Sequence, residues 1–295
     1  MVRTGTFHEN YIDTLSCILY TIYKMTLIFL ISVFAGFIGA LSGMGGGIII
    51  VPALVLLGIN IKYAIAASML SVIATSCSAT AAYAKERIVN LKIGTFLQLF
   101  TILGAIAGAT LTLHMSEKPL SLMFGLILLT SWITLLKKGV SVARYDNRGG
   151  IVDNYLELSG CYEEKVPPYR IINYKSRYAA LGGPFMFLAG MVAGLLGIGA
   201  GALKVLILDL LMGLPPKVST TTSNYIIGIT ALAGSSVFFA SGYLKPGLAV
   251  PIILGVLAGS WIGSKLLVRM VEEAVRRLFL VILLVIAIEM IWRGI

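Results

Sequence analysis

Residues Gly39–Pro52 read GALSGMGGGIIIVP, and residues Gly194–Lys204 read GLLGIGAGALK. Each stretch lies inside an apolar run, 26–57 and 179–213, that exceeds 30 residues. A straight helix of that length would be about 50 Å long, against a hydrocarbon core of roughly 30 Å. Something must tilt or break it, and the glycines mark where. Gly45, Gly46 and Gly47 each lower helix propensity by about 1 kcal/mol relative to alanine and release backbone N–H groups that a helix would otherwise use. A break is predicted at Gly43–Gly47 and again at Gly197–Gly201.

Working outward from these runs, further apolar segments appear at 63–83, 93–114, 119–136, 219–240, 247–268 and 278–292. Each is long enough to cross a bilayer as a helix that satisfies its own backbone. Composition agrees: only 12% of residues are charged, and the mean hydropathy is +0.95, too apolar for a soluble chain of 295 residues. The predicted fold is all-α, a polytopic membrane protein of about eight spans in the cell membrane. The formal charge of +10 gathers at span ends, which suits cytoplasmic loops and excludes a nucleic-acid partner as its cause. Three cysteines, Cys17, Cys77 and Cys161, and two histidines, His8 and His114, form no disulfide framework, metal site or catalytic pair. Neither an enzyme nor a bound cofactor is expected.

The chain also repeats itself. At an offset of 154, Gly43, Gly45 and Gly47 fall on Gly197, Gly199 and Gly201. With one residue inserted, Lys62, Ser68, Gly104, Gly108 and Met115 fall on Lys217, Ser223, Gly259, Gly263 and Met270. The predicted organisation is an N-terminal segment 1–25, a first transmembrane repeat 26–136, a polar cytoplasmic linker 137–178 and a second repeat 179–295. Four spans per half make the repeats parallel; hairpins at the glycines allow an inverted pair. With eight spans, the N-terminus, the loop holding Lys85, Arg87 and Lys92, the linker and the C-terminus share the cytoplasmic side. Arg269, Arg276 and Arg277 then fall on the other side.

Repeats in secondary transporters place the substrate at the repeat interface, on discontinuous helices. Packing alone explains the ladder Gly39, Gly43 and Gly47, and the pairs Gly104/Gly108 and Gly259/Gly263. It does not require three consecutive glycines or their echo in a second overlong run. After each break comes a hydroxyl-bearing span start, Ser68 in the first half and Ser219 to Asn224 in the second. Single hydroxyls can bond back to the preceding turn, but six consecutive polar side chains cannot all face lipid. Lys204 and Asp209 lie inside the apolar run after the second break, where a charge costs a few kcal/mol unless paired or wet. Their spacing of five is poor for an intrahelical pair, which leaves either Lys204 facing a substrate or a bent backbone that lets it neutralise Asp209. Gln98, in mid-span, is a weaker candidate. The candidate substrate-binding set is Ser42, Gly43, Gly45, Gly46, Gly47, Ser68, Gly197, Gly199, Gly201, Lys204, Asp209, Ser223 and Asn224.

Those two glycine stretches, with Gly213–Thr230 (GLPPKVSTTTSNYIIGIT), resemble the sulfite exporter TauE/SafE family of membrane permeases. The resemblance implies an eight-span permease of duplicated origin that moves sulfite or an organosulfonate, by export, driven by an ion gradient. Departures are Ala200, where the second motif often has glycine, and the long linker. The implied partners are a small anion, the lipid bilayer, coupling protons and a second copy of the chain. No GxxxxGK[ST] order marks an ATP-driven pump. The competing classes are an anion channel and a membrane scaffold.

Overall fold

The computed structural model describes residues 5–42, 45–85, 88–137, 158–163, 171–267 and 272–294. Among them run ten helices and one hairpin. The first half holds α1 (Gly5–Ser42), α2 (Gly47–Leu56), α3 (Ile61–Lys85), α4 (Leu91–His114) and α5 (Glu117–Lys137). Strands β1 (Ser159–Glu163) and β2 (Ile171–Lys175) follow, paired antiparallel. The second half holds α6 (Ala179–Leu196), α7 (Gly201–Leu206, ending in a π turn Ile207–Leu211), α8 (Pro216–Ala240), α9 (Pro246–Leu267) and α10 (Glu272–Gly294). Six of the described helices, α1, α3, α4, α6, α8 and α9, are long and apolar enough to cross a membrane. The chain is a multi-pass integral membrane protein.

Both overlong runs break at their glycines and reverse. In the first, Ile28 and Ser32 of α1 line one small apolar pocket with Ile50 and Leu54 of α2, while Gly39 lies against Gly45 and Gly46. In the second, the Arg177 N–H donates to the Met212 carbonyl, so the far end of the α7 segment returns to the start of α6. Gly197 (φ +70°) and Gly199 (φ +70°) supply the left-handed backbone of that turn. Ala200 shares it at φ +48° and bears the steric cost that glycine would avoid, about 1–2 kcal/mol.

Side-chain and backbone contacts fix the direction of every long helix. On α1 and α9, Phe29, Val33 and Phe37 meet Gly255, Gly259 and Gly263 in rising order, so the two are parallel. On α4 and α6, Gly104 meets Phe187 and Gly108 meets Met191, again parallel. Ser76 of α3 bonds to the Asn224 carbonyl on α8, whereas Met69 meets Gly234, so these two are antiparallel. Leu122 meets Gly294 and Gly125 meets Ala287, which makes α5 and α10 antiparallel. Tyr63 lies against Tyr243 where α3 and α9 begin together, and Thr222 and Thr230 of α8 meet Asn90 and Thr101 along α4. Helices α1, α3 and α9 therefore point one way, and α4, α6 and α8 the other. Repeat-related helices run in opposite directions, and each half's first helix packs on the other half's third. Of the two arrangements open in the sequence, this is the inverted one.

That geometry overturns one topological expectation. Arg293, near the end of α10, donates to the Val55 carbonyl, and Lys62 donates to the Leu113 carbonyl; these mark one end of the bundle. The β hairpin marks the other: the Asn90 amide donates to the Ser159 carbonyl and the Tyr174 hydroxyl, while its oxygen caps α4 at Ile93. Leu158 and Tyr174 are buried there with Ile93, Leu97 and Met212. The start of α1 and the C-terminal helix end thus lie opposite the linker, not beside it. Counting each overlong run as a single crossing misplaces the N-terminus, because the run enters and returns. Most of the linker's charged residues, 138–157 and 164–170, lie outside the described residues.

Candidate functional site

The two hairpins enter from opposite ends and their turns overlap. The Ser68 hydroxyl donates to the Gly197 carbonyl at 2.6 Å, and a Cβ on Gly47 would lie 2.6 Å from that same oxygen. Gly45 (φ +79°) turns between Val72 of α3 and Ile227 of α8. Only residues without side chains let the two turns meet this closely. Ser223 donates to the Gly201 carbonyl of its own half at a long 3.5 Å.

Lys204 follows the second turn and has no exposed surface. Its Nζ donates to Thr230 Oγ1 at 3.0 Å, and Thr230 Oγ1 lies 3.0 Å from Thr101 Oγ1. The hydroxyl hydrogens are directed away from the lysine: Thr101 donates to the Gln98 carbonyl and Thr230 to Thr101 or the Ile226 carbonyl. Thr230 can only accept from the lysine, so an ammonium here retains two further N–H donors. No carboxylate among the described residues forms an ion pair with it. A buried charge without a counter-charge costs several kcal/mol. An anion entering the site would supply that counter-charge.

Asn224 adds neutral donors and acceptors. It is fully buried, and neither its amide oxygen nor its amide nitrogen has a hydrogen-bond partner. The Gln98 amide oxygen is likewise buried without one. Unsatisfied groups of this kind are rare in folded proteins and call for an explanation, such as a ligand. Lys204 and Asn224 have no exposed surface, so neither is open to an ion in this conformation.

The structure therefore gathers Gly45, Gly46, Gly47, Ser68, Gly197, Gly199, Gly201, Lys204, Ser223 and Asn224 around the overlapping turns. Asp209 is buried in the π turn and forms no ion pair with Lys204, so of the two alternatives open in the sequence the neutralising pair is not the one that holds the lysine. Gly43 and the Ser42 side chain lie outside the described residues. Thr230 and Thr101 were not singled out from the sequence. A signal did exist for Thr230: Ser68 and Thr75 recur as Ser223 and Thr230, seven residues apart in each half and so on one helix face.

The sequence profile of the family described as sulfite exporter TauE/SafE matches residues 28–290. The chain is 28% identical over 280 residues to the probable membrane transporter protein YunE of Bacillus subtilis, covering 92% of this chain and 99% of that protein. It is 24% identical over 240 residues to the probable membrane transporter protein YdhB of the same organism, covering 81% and 87%. With the probable membrane transporter protein YfcA of Escherichia coli it shares 21% identity over 270 residues, covering 90% and 89%. No solved structure gives a significant match.

Proposed function

We propose that the chain, which belongs to the sulfite exporter TauE/SafE family, is a secondary transporter whose two glycine-turned hairpins close on a small anion beside Lys204. The observation that carries this reading is a fully buried lysine whose bond is to a hydroxyl. Helices α5 and α10, of 21 and 23 residues, cross the membrane together with α3, α4, α8 and α9, while the two glycine-turned hairpins enter and return. Sulfite, moved outward, is the substrate that the family description names, and an organosulfonate is the other candidate. Uptake by reconstituted vesicles tests it, with sulfite, sulfoacetate, thiosulfate and sulfate offered with and without a proton gradient. Saturable, gradient-coupled flux of at least one of them is expected. Flux that neither saturates nor responds to a gradient would make the protein a channel instead.

The inverted arrangement also supports an orientation. Of the fifteen Lys and Arg residues among the described residues, nine lie toward the linker end and five toward the opposite end, with Lys204 inside. Arg276 and Arg277, near the start of α10, lie toward the linker side, and Arg269 lies outside the described residues. The bias of basic residues toward cytoplasmic loops puts the linker inside the cell and both termini outside. Cys161, exposed on β1, is a natural probe once Cys17 and Cys77 are replaced. An impermeant maleimide applied to intact cells should leave Cys161 unlabelled and should label a cysteine appended after Ile295. Labelling of Cys161 in intact cells would reverse the orientation.

A further inference from the structure

We infer that the buried site is matched to an anion of single negative charge, and that it discriminates against doubly charged anions of the same shape. This deepens the anion-transport reading and rests on it. The inference comes from where the repeat keeps its chemistry and where it drops it. Hydroxyls are kept in both halves: Ser68 with Ser223, and Thr75 with Thr230, all buried. The cation is not. Lys204 corresponds, at the offset of 154, to Ile50, which is 1% exposed and set among Ile28, Ser32 and Leu54. Asn224 corresponds, at 155, to Met69, 2% exposed.

A symmetric site would bring two ammonium groups to the meeting point of the hairpins. This one brings a single ammonium, paired hydroxyls and amides. Among the described residues Lys204 is the only cation that is buried. An anion of one charge is neutralised there, and its remaining oxygens can take hydrogen bonds from the N–H groups that Lys204 does not spend on Thr230. A second negative charge would have neutral partners alone, and an uncompensated charge out of water is the costly state. The class of substrate is therefore a singly charged oxyanion, such as a sulfonate, hydrogen sulfite or a carboxylate.

Three tetrahedral probes of nearly one size separate charge from shape: neutral methanesulfonamide, singly charged methanesulfonate, and methylphosphonate in alkaline buffer, where it carries two charges. Their transport by the native protein in vesicles, directly or as competition against whichever anion is carried, should give methanesulfonate a kcat/KM about a hundred-fold or more above methylphosphonate. In Lys204→Gln the preference should move by one charge, with methanesulfonamide overtaking methanesulfonate. A role limited to folding would lower all three together and leave their order unchanged. Equal or better handling of methylphosphonate by the native protein would end the charge match while leaving anion transport standing. Unchanged methanesulfonate flux in Lys204→Gln, or no flux of any anion in either assay, would end both. The native ranking decides the question even if the variant fails to fold.

Discussion

Lys204→Gln is expected to lower anion kcat/KM by about a hundred-fold or more while the protein inserts and folds at native yield. The size follows from removing one partner of a buried charge pair, which typically costs 2–5 kcal/mol when the other partner, here the bound anion, stays charged. Retained folding follows from the hydrogen bonding. Thr230 only accepts from Lys204, and a glutamine amide can donate to it, although from a shorter chain. The apo protein also loses a buried charge, which makes the variant no less stable than the parent. Lys204→Arg should recover only part of the activity. Its planar fork brings five donors where a single hydroxyl accepts, and its bulk presses on the contact between Thr101 and Thr230. Uptake in vesicles, with yield and monodispersity after purification, separates these effects. Native flux through Lys204→Gln would remove the lysine from the anion's path.

What was legible in the sequence was whatever carries its own cost. Three glycines in a row cannot be a contented helix, and a lysine in an apolar run cannot be indifferent, so the breaks and Lys204 stand out without any structure. The repeat was legible for the same reason, because its landmarks are glycines, lysines and hydroxyls at one offset. The direction of the helices was not. An apolar helix presents the same pattern read either way along the membrane normal, so only contacts such as Phe29 with Gly255 and Met69 with Gly234 separate inverted from parallel halves. The same ambiguity hid the parity of the N-terminus. Thr101 was illegible as a partner of the lysine network, since it comes from α4, more than a hundred residues from Lys204 and in the other half. The β hairpin was hidden inside a charged stretch, where Leu158 and Tyr174 gave too short an apolar signal to suggest a buried face.

Two kinds of glycine contact should fail in two different ways when a methyl group is added. On Gly108 a Cβ would lie 2.0 Å from the Met191 carbonyl oxygen, and on Gly104 it would lie 2.0 Å from that of Phe187. Both oxygens belong to the α6 backbone, so relief requires α4 and α6 to separate along a contact that runs the length of both helices. Loss of dispersion contacts over that length, with steric strain where it is incomplete, is expected to cost several kcal/mol. Gly108→Ala should therefore purify poorly or unfold at markedly lower temperature. Gly47 is different. A Cβ there would lie 2.6 Å from the Gly197 carbonyl and 2.7 Å from Ser68 Oγ, both at the meeting of two turns. A turn can retreat without parting the long helices, so Gly47→Ala should assemble normally yet hold the hairpins apart. Gly46 has more room, with its nearest neighbour, the Ala35 carbonyl oxygen, 3.2 Å from a Cβ, so Gly46→Ala should be mild where Gly46→Leu is not. If closure of the hairpins around the anion is required, Gly47→Ala loses most of its flux with little change in thermal stability, and Gly108→Ala loses stability first. Thermal unfolding in detergent beside vesicle uptake reads both quantities on each variant. Native flux through Gly47→Ala, or native stability in Gly108→Ala, would show that the close approach at that glycine is not what the protein depends on.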